Sequence, residues 1–257
     1  MPYLMKKGFL YDMEDSFDIL MDYSVIFIGE EHGSRVSHQA ELTILKGLAE
    51  RDSNLVLALE MFERDVQEIL DAYLIGEISE KKFLKQARPW PNYLEDYRPL
   101  VEFTKKKGMH VIAANIPRRA AAAVAMANKI SPDVMGEDRR YLPKTLHLRS
   151  RGYYKRFASS MGEMPHFTPM KAMKVEGLYK AQVLKDSVMA ASIEPFLDHR
   201  TLFCCGHFHS DYHLGIPYQL QKNHPKLNIA VIAMASSVEN LAMKDRSKVA
   251  DFIWVEE

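Results

Sequence analysis

The segment GHFHSDYH, residues 206–213, places His207, His209 and His213 within seven positions of a chain that has only 10 histidines. It follows directly on a hydrophobic run, RTLFCC, that reads as a buried strand. Other hydrophobic runs also end in residues able to do chemistry. SVIFIG leads into Glu30, Glu31 and His32; NLVLAL leads into Glu60, then Glu63 and Arg64; MHVIAA leads into Asn115, then Arg118 and Arg119. In an open parallel sheet, ligands bind beyond the carboxyl ends of the strands, so these groups belong to one edge. Imidazole and carboxylate together suit Zn, Mn, Fe or Ni, and equally suit a general base oriented by an acid. Glu30, His32, Glu60 and His209 are therefore the catalytic candidates, and His32, Glu60 and His209 the metal-ligand set. A single histidine after a strand is more often a satisfied or exposed one; the argument rests on the coincidence at four strand ends.

His207 and His209 are expected to differ. His207 directly follows Gly206, still obeys the strand's alternation, and should tuck against a covering helix. His209 lies two residues on and can turn its ring into the cleft, with Asp211 or Glu30 accepting its other N–H. His110, His147, His199 and His224 read as surface or packing residues, and His213 as support for the loop at Gly215-Ile216-Pro217.

Strands are expected over residues 24–29, 54–60, 109–115, 200–206 and 227–234, with DFIWV (251–255) as an edge strand. Helices are expected over 37–51, with Leu42, Leu45 and Leu48 on one face, and over 63–74, 80–86 and 98–107. The last has Pro99 in its first turn and Gly108 as its cap. Such alternation predicts an α/β fold: a mostly parallel central sheet flanked by helices. A stretch without strand signals, residues 118–199, reads as a helical insert between the third and fourth of these strands, within one domain spanning 1–257. It contains a long helix from about Met170 to Glu194, stopped by Pro195.

Lysine plus arginine number 34, as do aspartate plus glutamate, and no long block of one sign occurs, so the sequence carries no nucleic-acid footprint. The apolar run 120–127 is too short to span a bilayer. The first residues lack the apolar core of a signal peptide. As written, the chain is expected in the cytoplasm; a membrane-anchored lipoprotein is expected if a signal was trimmed. The adjacent Cys204 and Cys205 point to opposite faces of a strand and cannot easily pair, which fits a reducing compartment.

On the long helix, Tyr179, Gln182 and Asp186 share one face. It is either a solvated stripe, given nearby Lys180 and Lys185, or a polar stripe turned to the site; the second reading puts Gln182 and Asp186 in the cleft. Residues 153–173, rich in Met and aromatics around His166, are either core or an adaptable lid over a flat ligand.

Five motifs then recur together. IGEEHGSRVSHQAELTIL, LALEMFERDVQEILDAYLIGEIS, VIAANIPRR, KAQVLKDSVMA and GHFHSDYHLGIP resemble the ChaN-like family in order and spacing, over roughly Val25 to Ala235. That family is associated with haem binding and iron uptake, and its wider superfamily includes the Tiki metalloproteases and the erythromycin esterases. Tiki proteins carry two G-x-x-H motifs; here they are Gly29-Glu30-Glu31-His32 and Gly206-His207-Phe208-His209. In erythromycin esterases a glutamate precedes the first histidine by three positions; Gly29 stands there, and Glu30 precedes by two. The resemblance implies haem held through a tyrosine, with a homodimer as one way of holding it. Tyr153, Tyr154 and Tyr179 are the candidates, beside Gln182, Asp186 and His207. Two readings follow: a haem- or iron-handling binding protein, or a divalent-metal hydrolase (Zn, Mn or Fe) using His32, Glu60 and His209. A third is a relative that kept the fold without the activity.

Overall fold

The hydrophobic runs form strands in a computed structural model that describes residues 1–148, 150–163 and 174–256. Two short strands without a strong sequence signal come first, β1 (Pro2–Lys6) and β2 (Phe9–Tyr11). The five expected strands follow as β3 (Val25–Glu30), β4 (Leu55–Glu63), β5 (Val111–Asn115), β6 (Arg200–Gly206) and β7 (Ile229–Met234), and β8 (Phe252–Glu256) ends the sheet's sequence. All eight share one sheet in the order β2-β1-β8-β7-β3-β6-β4-β5. The six strands from β8 to β5 run parallel, and β1 and β2 are antiparallel additions.

This order creates a switch point. The chain leaves β3, skips one position to lay down β4 and then β5, and returns to insert β6 between β3 and β4. The carboxyl ends of β3, β6 and β4 therefore lie side by side, which is where a doubly wound sheet leaves a crevice. The register is specific: Glu30 is opposite Gly206, and Leu59 is opposite Cys204.

Helices cover both faces. In chain order they are α1 (Met13–Leu20), α2 (Arg35–Arg51), α3 (Gln67–Leu74), α4 (Glu80–Ala87), α5 (Arg98–Lys107), α6 (Arg118–Ala127), α7 (Pro132–Met135), α8 (Arg151–Glu163), α9 (Val175–Ile193), α10 (Ile216–Asn223), α11 (Ala235–Val238) and α12 (Met243–Val249). Between β5 and β6 the described residues run through α6 to α9. Ile26, Ile28, Leu57, Leu59, Leu202 and Cys204 pack under α2, with its Ile44, Leu45 and Leu48. The alternate residues Phe27, Val56, Ala58, Phe203 and Cys205 pack under α9, with its Met189, Ala190 and Ile193. Cys204 and Cys205 thus lie on opposite faces, both free and buried. Helix α9 is buried nearly all round: Leu184 and Val188 meet α6, and Tyr179 and Val183 meet α8.

Several expectations need correction. β4 continues to Glu63 instead of yielding to a helix there, because Met61 and Phe62 stay extended and buried and Glu63 pairs with Asn115 after a register shift. The DFIWV strand is not an edge, since β1 pairs with it and places Leu4 opposite Trp254. On α2, Leu42 is only partly buried; Ile44, Leu45 and Leu48 carry the core contact. The expected start of the long helix at Met170 and the His166 segment lie outside the described residues.

Helix α9 approaches α6 so closely that a Cβ on Gly177 would run into the carbonyl oxygen of Ala125. Backbone cannot yield as a side chain can. Gly177→Ala should therefore destabilise the protein by about 1–3 kcal/mol despite alanine's better helix propensity. A lower urea midpoint with an unchanged m-value would show it, whereas a stabilised variant would mean that the two helices separate freely.

Candidate functional site

Strand alternation sends the two central glutamates to opposite faces of the sheet. Glu30, in step with Ile26 and Ile28, points to the α2 side; Glu60, in step with Val56 and Ala58, points to the α9 side. Both are buried: Glu30 is fully buried and Glu60 is 4% exposed. Each has its own set of partners.

On the α9 side the centre is His209, held in a short 3-10 turn after β6 and buried. Its Nε2 lies 3.2 Å from Glu60 Oε1, and its Nδ1 lies 2.5 Å from Asp186 Oδ1. Asp186 also accepts from the Tyr153 hydroxyl at 2.6 Å, and that hydroxyl accepts from Gln182 at 3.0 Å. The Gln182 amide also lies 3.1 Å from His209 Nδ1. The Gly206 backbone N–H donates to Glu60 Oε2 at 2.9 Å. Burial by itself opposes charge on His209, but the two flanking carboxylates raise it to about 10. Burial would likewise raise Glu60, yet the charge and hydrogen bond of His209 bring it down to about 2. For Asp186 burial prevails and its carboxyl is raised. The ring is held as imidazolium between two carboxylates.

On the α2 side, Glu30 Oε1 accepts from the Tyr97 hydroxyl at 2.7 Å and faces His32 Nδ1 at 2.5 Å. His38 and Glu41, one turn apart on α2, complete this side: His38 Nδ1 is 3.0 Å from Glu41 Oε2 and 3.6 Å from Glu30 Oε2. Burial, then the neighbouring Glu30, push the Glu41 carboxyl well above the usual carboxylate range.

His32 connects the two sides. It lies beyond the end of β3, and its Nε2 comes within 2.7 Å of the point that a Cβ on Gly206 would occupy; Glu60 Oε2 is 3.7 Å from that same point. Only a residue without a side chain at 206 lets His32 lie across the end of β6. Its hydrogen bond to Glu30 raises the pKa of His32, against its partial burial. Its side chain is 48% exposed, against 8% for His209, so the cluster opens to solvent through His32.

The structure thus brings together Glu30, His32, Glu60, His209, Gln182, Asp186 and Tyr153. The expected helper of His209 is corrected: Asp186 accepts its N–H, while Asp211 instead faces His207 Nδ1 at 2.8 Å and takes Arg156 at 2.6 Å. His207 is not tucked under a helix; its side chain is 39% exposed, because its ring turns back to Asp211. Tyr179 gives its hydroxyl to the Leu148 carbonyl, and Tyr154 is 40% exposed. His147, His199, His213 and His224 pair with Asn223, Asp198, Asp251 and Glu194, away from the cluster. Sequence reasoning missed His38, Glu41 and Tyr97. A signal existed for two of them: His38 and Glu41 interrupt the buried face of α2, where polar residues are rare without partners. Tyr97 had none, since it ends a short π-helical turn, Tyr93–Tyr97, that follows the irregular RPWPNY segment.

Removing the His209 ring leaves Glu60 and Asp186 buried without their countercharge, so His209→Ala should cost about 3–5 kcal/mol. His207→Ala, at a half-exposed pair, should cost about 0–1 kcal/mol. The pKa of His209 rises on folding from 6.5 to about 10, so its contribution is complete below pH 6.5 and disappears as pH climbs through about 10. Denaturant titrations from pH 6 to 10 should show a fall in the wild type that is shallower in His209→Ala. Equal small costs for both variants would make the cluster energetically irrelevant.

A ChaN of Campylobacter jejuni that binds haem cofacially superposes with a TM-score of 0.77 at 19% identity, over 100% of this chain and 97% of that one. An erythromycin esterase in an open conformation superposes with a TM-score of 0.51 at 12% identity, over 91% of this chain and 76% of that one. At these identities both report a shared fold. A chloroplast protein of Arabidopsis thaliana, RETICULATA-RELATED 5, is 24% identical over 95% of this chain, which spans 35% of that protein's length. Among the described residues no helix is long and apolar enough to cross a membrane. Residues 17–220 match the family described as haem-binding uptake, Tiki superfamily, ChaN, and the chain belongs to that family.

Proposed function

We propose that the protein binds haem, with the Tyr154 phenolate as the ligand to iron. Family membership supplies the ligand class, and one observation supports the residue. Of the three tyrosine candidates, Tyr153 and Tyr179 are buried with hydroxyls committed to Asp186 and Leu148, so neither can turn to a ligand without leaving a buried acceptor unpaired. Tyr154 is 40% exposed, and its hydroxyl has no hydrogen-bond partner among the described residues. Its ring stands edge-on to Tyr179, which packs on Phe157 and Tyr153. That gives an apolar, aromatic base beside the ligand, as a flat macrocycle requires, and the exposed Lys155 can meet a propionate. Haem iron accepts a tyrosinate as its axial ligand. A second subunit facing the first would cover the remaining haem face.

The hydrolase reading has weaker geometric support. Both nitrogens of His209 face carboxylates, Nε2 toward Glu60 and Nδ1 toward Asp186, which commits the ring to those two partners. His32 is the better placed to move a proton, with Nδ1 fixed by Glu30 and the ring reaching solvent. Turnover abolished by chelation and by Glu60→Gln would favour that reading over haem binding.

Haemin titration of the purified protein should give a saturable Soret shift with a high-spin ferric spectrum. Tyr154→Phe should lose that spectrum and weaken binding by at least about tenfold, while Tyr179→Phe keeps both. Sedimentation with and without haemin reports whether a dimer forms. No Soret shift would reject haem binding; an unchanged Tyr154→Phe spectrum would reject the ligand assignment alone.

A further inference from the structure

We propose that Glu30, His38 and Glu41 form a buried site for one divalent transition-metal ion on the α2 side of the sheet, separate from the His209 cluster. One donor atom from each of the three lies within 4.8 Å of the others, and all three side chains are buried. The distances suit a small ion. Donors about 2.1 Å from a tetrahedral zinc ion lie about 3.4 Å apart; His38 Nδ1 is 3.0 Å from Glu41 Oε2 and 3.6 Å from Glu30 Oε2.

A second observation is independent of that geometry. Glu30 Oε2 and Glu41 Oε1 are buried carboxyl oxygens with no N–H or hydroxyl donor among the described residues. Two carboxyl groups in an apolar layer with unfilled oxygens are expensive, and among the described residues no lysine or arginine pairs with either. A divalent cation would satisfy both oxygens at once.

The surroundings have the form of an outer shell. His38 Nε2 is turned toward Asp96 Oδ2 at 3.3 Å, which leaves Nδ1 as the nitrogen facing Glu30 and Glu41; a carboxylate behind a ligating histidine is a common outer-shell arrangement. Asp96 is itself oriented by the Asn92 amide at 2.6 Å. The unused oxygen of Glu30, Oε1, is held by Tyr97 and His32, which leaves Oε2 for the ion. The Cys204 thiol contacts Glu41 from the sheet. Imidazole with two carboxylates and a nearby thiol points to zinc or iron(II) over magnesium or calcium. Because Glu30 also holds His32, an ion here would set the charge beside the cluster on the other face without lying in it.

Chelator-treated, full-length protein is dialysed against micromolar free Zn2+, and bound zinc is counted by elemental analysis alongside the melting temperature. The wild type and Glu60→Gln should each retain one equivalent and melt higher with zinc. Glu41→Gln and His38→Gln should retain none, and Asp96→Asn should bind about 10–100-fold more weakly. Circular dichroism confirms that each variant is folded. If Glu41→Gln or His38→Gln does not fold, the wild type and Glu60→Gln decide: one zinc with a raised melting temperature in both supports the site. No zinc in the wild type, an equivalent that survives both Glu41→Gln and His38→Gln, or one lost in Glu60→Gln overturns it. None of these readings depends on haem, so a failed haemin titration leaves the zinc result standing.

Discussion

Everything at the carboxyl edge depends on how the fold keeps two buried carboxylates, Glu30 and Glu60, on opposite faces of one sheet. A charge taken from water into an apolar layer survives only with a partner of opposite charge or a set of hydrogen bonds. Glu60 has both: the imidazolium of His209 on one oxygen and the Gly206 N–H on the other. Glu30 is held through one oxygen by Tyr97 and His32. The missing side chain of Gly206 allows His32 to join these two systems across the end of β6, which would otherwise separate them.

That constraint assigns the surrounding elements their roles. Helix α9 is apolar on most of its surface, yet it carries Gln182 and Asp186 to the one place where the sheet presents His209 and Glu60. Helix α8 contributes Tyr153 from outside α9 and closes the hydrogen-bond chain on Asp186. Helix α2 does the corresponding work on the other face with His38 and Glu41. Helices α2 and α9 are anchored by aliphatic packing one or two turns from their polar residues, and α8 by Phe157. The hydrophobic layers supply the rigidity, and the polar residues use it.

The two faces differ in how completely they are satisfied. On the α9 side every named carboxylate oxygen meets a donor. On the α2 side Glu30 Oε2 and Glu41 Oε1 do not. The contrast matters because both networks converge on His32, the most exposed of the four strand-end candidates. A change of charge beneath Glu30 is felt at that imidazole, since Glu30 holds its Nδ1.

By itself the sequence determined the parallel strands, the helices between them and the residues at the strand ends, because these follow from local rules: hydrophobic runs ended by glycine, capping residues, and alternation along a strand. It also brought Glu30, His32, Glu60, His209, Gln182 and Asp186 into consideration, since their placement after strands or on one helix stripe is a matter of spacing. What it left open was partnership. Whether Asp186 or Asp211 serves His209 depends on how α9 crosses the sheet, and that crossing is set by packing between residues far apart in the chain. The role of β1 and β2 in covering β8 was equally hidden, because strand pairing is decided by long-range contacts. His38, Glu41 and Tyr97 became part of the site only when α2 and the Tyr93–Tyr97 turn folded onto the same buried carboxylate, a meeting that no local pattern encodes.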